Sequence, residues 1–169
     1  ALMPNCAATR FINFSLDGSG PAKFADPDPE IWSDIPDALP VAQGRSVNLD
    51  TLTKQEVGTW KAGELILLSG HLLTARDAAH KRMVDMLSRN EPLPVSLQDR
   101  AIYYVGPVDP VKGEAVGPAG PTTSTRMDKF MPVLLEQTGL LLTVGKAERG
   151  PVAIDAIKKN KSAYLVAVG

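Results

Sequence analysis

The sequence has a single cysteine, lacks long apolar runs and has nearly equal numbers of positive and negative residues. Its one cysteine, Cys6, has no partner for an internal disulfide, which is compatible with a reducing compartment. No apolar run approaches the ~20 residues that span a bilayer, and the first residues lack the basic and apolar segments of a signal peptide. We therefore expect a soluble chain in the cytoplasm or, in a eukaryote, in an organelle matrix.

Charge is balanced along the chain, which limits the kinds of partner. The 18 lysine and arginine residues and the 19 aspartate and glutamate residues give a formal net charge of -1. They form neither a basic stripe nor an acidic tail, so neither nucleic acid nor another polyanion is expected as a partner. The glycine patterns that hold nucleotide phosphates, GxGxxG after a strand and GxxxxGK[ST], are also absent.

The 169 residues fall into two regions of different composition. Residues 1–44 contain a plausible strand, RFINFSL, followed by a stretch rich in proline and acidic residues, which is typical of a connector between domains. Residues 45–169 alternate apolar, strand-like segments with helical segments. This alternation predicts one α/β domain with a largely parallel sheet.

Several residues mark the predicted helix starts in the second region. Thr53 and Glu56 have the spacing of a capping box, Thr74 is expected to cap the next helix, and Pro151 fits the first position of the last one. Pro132 conflicts with a continuous helix and is expected either to lie near a first turn or to kink the helix. Strands are expected at residues 46–50, 64–70, 101–106, 140–145 and 162–168, and the longer helices at residues 74–89, 125–138 and 151–159.

A long loop rich in glycine and proline precedes one of these helices. Residues 106–128, GPVDPVKGEAVGPAGPTTSTRMD, contain four glycines and four prolines, which exclude a regular helix or central strand. Thr122 to Arg126 would lie at the helix N-terminus, where backbone N–H groups, hydroxyls and an arginine favour an anion. Alternatively, Ser124 or Thr125 only caps the helix and Arg126 is solvated.

Three cationic side chains are predicted at the carboxyl ends of strands. Arg76 falls in the first turn of the helix that comes immediately after the strand at residues 64–70, and Arg126 in the first turn of the helix after the long loop. Lys146 directly follows the strand at residues 140–145. A cation near a helix N-terminus opposes the macrodipole by about 0.3–1 kcal/mol, so an anion is expected to offset it. Ligands of open α/β sheets bind at this edge, and the three cations therefore predict a pocket for a small, multiply charged acid. Alternatively, they are exposed or pair with Asp77 and Asp128.

The two histidines have different expected roles. His80 lies four residues after Arg76, on the same helix face, and is expected to be structural. His71 follows a predicted strand, so it is a candidate to line the pocket. Two histidines without cysteines or carboxylates at ligand spacing do not predict a metal site.

Four segments resemble one enzyme family in their order and spacing. They are GHLLTARDAAHKRM, IYYVGPVDP, GPAGPTTSTRMDKF and VGKAERG. Over residues 10–169 the chain resembles the C-terminal domain of the class I, iron–sulfur-dependent fumarases and the equivalent subunit of L-tartrate dehydratase. This resemblance implies a swivelling β/β/α domain, preceded by a mostly helical domain that ends within residues 1–44. The chain departs from the family at VGKAERG, where many relatives read AKGN or GKG.

The resemblance also implies roles for individual residues. Arg76 and Arg126 resemble the arginines that hold the carboxylates of the substrate. Thr122 resembles the proposed catalytic base, and Thr123 beside it is a further candidate for the pocket. Lys146 resembles the lysine near the substrate.

The implied cofactor is a [4Fe-4S] cluster that this chain does not assemble alone. Cys6, in NCAATR, resembles the third cysteine ligand, and the other two would lie on a preceding segment or a separate chain. The implied partners are that N-terminal helical domain or alpha subunit, a small dicarboxylate and a second copy in a homodimer of the complete enzyme. The implied reaction is the reversible hydration of fumarate to L-malate. An L-tartrate dehydratase beta subunit and a non-catalytic anion-binding module are the alternatives.

Overall fold

The computed structural model describes residues 14–15, 17–20, 23–24 and 43–167. The chain divides into two units, residues 1–42 and residues 43–169. In the first unit, strand β1 (Phe14–Ser15) pairs in antiparallel register with strand β2 (Lys23–Phe24). Strand β1 lies within the RFINFSL segment. The rest of that segment, Cys6 and most of the proline-rich connector lie outside the described residues.

The second unit consists of parallel strands and helices, which confirms the predicted α/β class. Strands β3 (Arg45–Asn48) and β4 (Ile66–Ser69) form a parallel pair. A four-stranded parallel sheet has the order β5 (Leu73–Thr74), β6 (Ala101–Tyr103), β7 (Leu142–Gly145), β8 (Ala163–Val166). The helices are α1 (Lys54–Val57), α2 (Asp77–Ser88), a 3₁₀ helix (Ser124–Phe130), α3 (Met131–Thr138) and α4 (Pro151–Asn160). No helix in the described part of the chain is long and apolar enough to cross a membrane.

Strand β7 is covered on both faces. All four of its residues are buried, and successive side chains of a strand point to opposite faces. Leu142 and Val144 belong to an apolar cluster that includes Val47 of β3. A second apolar cluster contains Ile102 of β6 and Leu134 of α3. A strand covered in this way has a continuous apolar sequence, as LLLTVG does.

Two predicted helix starts are confirmed. The Thr53 hydroxyl accepts a hydrogen bond from the Glu56 N–H at 3.2 Å, so Thr53 caps α1. Pro151 lies at the start of α4, where its fixed φ suits the first turn.

Two other predictions are wrong, one about a helix start and one about the continuity of a helix. Thr74 belongs to β5 and pairs with Tyr103, while Arg76 occupies the N-cap of α2 without a side-chain cap bond. Thr74 is therefore a strand residue that pairs with β6 and does not cap the helix. The continuous helix expected at residues 125–138 is instead a 3₁₀ helix followed by α3. Pro132 lies in the first turn of α3, where its missing N–H breaks no helical hydrogen bond.

Truncation of Leu142 is expected to destabilise the second unit. Leu142 is fully buried in β7, so Leu142→Ala should lower the free energy of unfolding by about 2–5 kcal/mol. Val152→Ala, at a position that is 56% exposed, is the control and should change it by less than about 0.5 kcal/mol. Urea unfolding followed by circular dichroism measures both. Similar effects of the two variants would contradict the burial of β7.

Candidate active site

The carboxyl ends of three parallel strands meet at one edge of the four-stranded sheet. Thr74 of β5 lies beside Tyr103 of β6, and Tyr103 lies beside Val144 of β7. Arg76 comes two residues after β5, and Lys146 directly follows β7. Both cations therefore lie at this edge, which we call the carboxyl edge.

Residues 122–124, the threonine segment, continue the pairing of the sheet beside Lys146. The Thr122 N–H donates to the Tyr104 carbonyl at 2.7 Å, and the Lys146 N–H donates to the Thr122 carbonyl at 3.2 Å. The Ser124 N–H donates to the Lys146 carbonyl at 3.0 Å, which completes a short parallel bridge. The chain thus leaves the sheet after β6, passes through the glycine- and proline-rich loop and returns to the carboxyl edge. Both threonines of the segment are half-buried there.

Arg76 lies across the start of that loop. A Cβ atom added to Gly106 would lie 2.8 Å from Cζ and from Nη2 of Arg76. Glycine at this position therefore permits the close approach of the guanidinium. The Ala75 N–H donates to the Tyr103 carbonyl at 3.1 Å, which ties the backbone before Arg76 to β6. Arg76 itself is exposed.

Arg126 forms a bidentate ion pair with Asp77, the first residue of α2. Its Nε donates to Oδ1 at 3.0 Å, and its Nη2 lies 2.8 Å from Oδ2. The sequence raised this pairing as an alternative to ligand binding, and the pairing is confirmed. It leaves three donors for another acceptor, two on Nη1 and one on Nη2, since a guanidinium has five N–H groups. The Arg126 and Asp77 side chains are 58% and 40% exposed, so a ligand can reach them.

The structure thus brings most of the expected site residues to one place. The residues at the carboxyl edge are Arg76, Thr122, Thr123, Arg126 and Lys146. They come from three separate segments of the sequence, and main-chain pairing or an ion pair connects each segment to a neighbour.

His71 lies at the opposite end of the four-stranded sheet. It precedes β5, and its Nδ1 lies 3.0 Å from Asp50. Arg100, which precedes β6, reaches the same carboxylate at 3.8 Å. Hydrogen bonds from His71, first from its backbone N–H, lower the pKa of Asp50. The structure therefore separates His71 from the carboxyl edge, because the strand before it, β4, belongs to the other sheet.

A buried ion pair next to the carboxyl edge is a feature that the sequence does not reveal. Arg149 Nε donates to Asp128 Oδ1 at 2.6 Å, and the two side chains are 2% and 12% exposed. Arg149 Nη1 also donates to the hydroxyls of Tyr104 at 3.3 Å and Thr143 at 3.4 Å. Asp128, offered by the sequence as a partner for a cation of the site, binds Arg149 instead. The only local signal is an arginine before a helix start, which does not distinguish a buried arginine from an exposed one.

Tyr164 of β8 ties the residues after Lys146 to the threonine segment. Its hydroxyl donates to the Ala147 carbonyl at 2.7 Å and lies 2.9 Å from the Ser124 hydroxyl. Burial raises the pKa of Tyr164, so the hydroxyl remains a donor. Ala147 has a φ of 63°, in the left-handed region that costs a residue with a side chain about 1–3 kcal/mol. The Tyr164 hydrogen bond helps to hold this conformation.

His80 is a buried residue of α2, in agreement with its expected structural role. It is completely buried, and its Nδ1 donates to the Arg76 carbonyl at 2.9 Å. Burial, with a smaller contribution from the Arg149 cation, lowers the pKa of His80. The ring is therefore neutral and carries its proton on Nδ1.

The described residues do not fit a metal centre by themselves. In the part of the chain that the structure describes, no three histidine, cysteine, aspartate or glutamate side chains are grouped to hold a metal ion. Cys6, the residue that resembles a cluster ligand, lies outside that part.

Comparison with known proteins decides the family of the chain. Residues 18–169 match the family model for the fumarase C-terminus. The chain belongs to the fumarase C-terminus family. Fumarate hydratase 2 of Leishmania major is 30% identical over 99% of this chain, and the aerobic class I fumarate hydratase of Salmonella typhimurium is 33% identical over 98%. The L(+)-tartrate dehydratase subunit beta of Escherichia coli is 35% identical over 63% of this chain.

The fumarase C-terminus chain matches only part of each relative. It covers 30% of the Leishmania fumarate hydratase and 29% of the Salmonella fumarate hydratase. It covers 52% of the tartrate dehydratase subunit. The chain thus spans less than a third of these fumarate hydratases and about half of that subunit.

The neutral His80 is expected to make the stability of the domain depend on pH. Its pKa in the folded state is below the ordinary value of 6.5, so the unfolded state takes up a proton first as the pH falls. The free energy of unfolding should therefore decrease below about pH 6.5. His80→Asn keeps a donor near the Nδ1 position and should remove this part of the pH dependence. Urea unfolding at several pH values tests this, and identical slopes for variant and wild type would contradict it.

Proposed function

We propose that this fumarase C-terminus domain provides the carboxylate-binding and acid/base residues of a fumarate hydratase. The enzyme adds water reversibly across the double bond of fumarate to give L-malate. The observation that carries the proposal is the convergence of Arg76, Thr122, Arg126 and Lys146 at the carboxyl edge, in a chain of this family.

The charges at the carboxyl edge match those of a small dicarboxylate. Arg76, Arg126 and Lys146 contribute three positive charges, and Asp77 neutralises one of them. The two positive charges that remain equal the negative charge of fumarate or malate. The N-terminus of α2 adds a partial positive charge at the same place. The site therefore favours a dianion over a monocarboxylate.

Arg76 and Arg126 are the carboxylate ligands in this proposal. A guanidinium matches a carboxylate with two parallel hydrogen bonds, which fixes the orientation of the substrate as well as its charge. Asp77 occupies the Nε and Nη2 edge of Arg126 and leaves the Nη1 and Nη2 edge for the substrate. Lys146 acts as a point charge beside the threonine segment.

Thr122 is the catalytic base in this proposal, a role that the family resemblance implies. Its backbone is fixed on both sides, by Tyr104 and by Lys146, and it is half-buried. A free hydroxyl is a poor base at neutral pH, so its deprotonated form needs a nearby positive charge, which Lys146 offers. Thr122 then takes the proton from the carbon next to the one that carries the leaving hydroxyl, and the cluster of the complete enzyme would supply the Lewis acid that accepts the departing hydroxide. In the hydration direction it returns that proton.

The complete enzyme, in this proposal, includes an N-terminal helical domain or an alpha subunit and works as a homodimer. A [4Fe-4S] cluster has no ligand set among the described residues, so the additional part holds it, with Cys6 as the third cysteine ligand. The existence of a relative named as a beta subunit supports a partner of this kind.

L-tartrate dehydration is the second candidate function. The tartrate dehydratase subunit is 35% identical to this chain, compared with 30% and 33% for the two fumarate hydratases. The fumarate hydratases, however, align with 99% and 98% of this chain, and the tartrate dehydratase subunit with only 63%. The longer alignment favours fumarate. Tartrate would need the same arginines and room for one more hydroxyl group.

We expect the complete enzyme, reconstituted without oxygen, to prefer fumarate and L-malate. Its kcat/KM for these should exceed that for L-tartrate by at least about tenfold. The isolated chain should turn over none of the three. A preference for L-tartrate would favour L-tartrate dehydration over fumarate hydration as the function. Absence of turnover by an enzyme with an intact cluster would favour a non-catalytic anion-binding module.

Arg126→Ala in the complete enzyme is expected to lower kcat/KM for L-malate. Loss of a charge-assisted contact to a carboxylate should cost about 3 kcal/mol, or roughly a hundredfold. Arg89→Ala is the matched control, since Arg89 also forms a bidentate ion pair, with Glu91, but at the other end of α2. Steady-state kinetics compare the variants. A change of less than about threefold for Arg126→Ala would remove Arg126 from the site.

A further inference from the structure

Arg149 and Asp128 connect the two segments that carry Thr122, Arg126 and Lys146. Asp128 lies two residues after Arg126, and Arg149 lies three residues after Lys146. One Asp128 oxygen accepts from Arg149 Nε at 2.6 Å, and the other accepts from the Gly150 N–H at 2.5 Å. Both carboxylate oxygens are therefore used, and both hold the chain that follows Lys146.

The second branch of the Arg149 guanidinium reaches the sheet itself. Nη1 donates to the hydroxyl of Tyr104, which directly follows β6, and to the hydroxyl of Thr143 in β7. The guanidinium carbon also lies 5.4 Å and 4.9 Å from the ring centres of Tyr104 and Tyr164. The carbonyl of Tyr104 accepts the Thr122 N–H. Arg149 is thus linked to Thr122 through one residue.

The energetics of this pair favour a geometric role. A buried ion pair is weak support for stability, because removing two charges from water offsets most of their attraction. Apolar side chains of similar size would stabilise the interior equally well, but they would not fix bond directions. The Arg149 and Asp128 charges engage defined donors and acceptors on β6, β7 and the start of α4.

We propose that Arg149 and Asp128 are positioning residues of the active site. They hold Lys146 against the threonine segment, so that Thr122 and Lys146 keep their relative positions while a substrate binds and leaves. Both side chains are buried, so neither is expected to touch the substrate. The inference rests on the proposed function, since it assigns the work on the substrate to Thr122 and Lys146.

Arg149→Lys in the complete enzyme is the main test. Lysine keeps the charge and can bind Asp128, but one ammonium cannot also reproduce the bonds to Tyr104 and Thr143. We expect kcat for L-malate to fall about tenfold to a hundredfold, because misplacement of reacting groups costs rate. KM should change less than about threefold, since Arg76 is the N-cap of α2 and Arg126 keeps its ion pair with Asp77, the first residue of α2. An unchanged kcat in a folded variant would overturn the proposal.

Hydrogen exchange of backbone amides provides a measurement that needs no activity. In Arg149→Lys, the amides of Thr122, Ser124 and Lys146 should exchange at least about tenfold faster. The Ala75 amide, which is bonded to Tyr103 at the same edge, should keep its wild-type rate. Equal acceleration at Ala75 would indicate general loosening of the fold and would contradict a positioning role. Unchanged exchange rates at Thr122, Ser124 and Lys146 would also contradict a positioning role.

Leu134→Ala and Thr143→Val complete the experiment. Leu134 is fully buried, so Leu134→Ala should lower stability but leave kcat per folded molecule unchanged. Thr143→Val removes one bond to Arg149 and keeps the ion pair, so it should give a smaller change in the same direction. If Arg149→Lys does not fold, Thr143→Val becomes the deciding variant. Wild-type kinetics and wild-type exchange rates in Thr143→Val would then overturn the proposal.

The two proposals fail in different ways. A wild-type enzyme that turns over none of the three substrates would contradict the proposed function. The exchange rates at Thr122, Ser124 and Lys146 would still support or overturn the positioning role in that case.

Discussion

The hydrogen bonds that join residues 122–124 to Tyr104 and Lys146 hold the candidate active site together. A strand that ends in the interior of a sheet leaves backbone groups that need partners. The threonine segment supplies those partners, so the chain can diverge into a long loop after β6 without leaving the groups unpaired. Because main-chain atoms make this pairing, Thr122 stays beside Lys146 whatever side chains the loop carries. The sheet thus sets where the proposed base lies, and in our proposal the Arg149–Asp128 pair keeps it there while substrate binds and leaves.

Two arginine–aspartate pairs near this edge have the same chemistry but different exposure. Arg126 and Asp77 are exposed, so water screens their attraction and the pair contributes little to stability. Such a pair can share its guanidinium with an incoming carboxylate at small cost. Arg149 and Asp128 are buried, and loss of either partner would leave an uncompensated charge. Exposure therefore separates a pair suited to binding from one suited to holding the fold.

Strand ends are the positions at which the sequence was most informative. Lys146 follows β7, a strand that the sequence predicts. Arg76 was expected after the strand at residues 64–70, but that strand pairs with β3, and Arg76 instead follows β5, a two-residue strand that the sequence does not predict. His71 also follows a strand, but that strand pairs elsewhere, and a single sequence does not show which strands are neighbours. Thr74 has the properties of a cap, yet the ladder to β6 uses it. The burial of Arg149 depends on an aspartate 21 residues away, which no local pattern encodes.

The cations of the proposed site are exposed, which limits how strongly the carboxyl edge alone would bind a substrate. Arg76, Arg126 and Lys146 are exposed in the described structure, and charges in water attract a dicarboxylate only weakly. Electrostatic interactions at a charged site become stronger when a second surface excludes bulk water and lowers the local dielectric constant. The fumarase C-terminus chain spans less than a third of the fumarate hydratases it matches. The larger, unmatched part of those relatives is long enough to form such a surface. In the proposed arrangement the carboxyl edge would supply charge and orientation, and we expect its affinity for a dianion to become strong only when a second surface covers it.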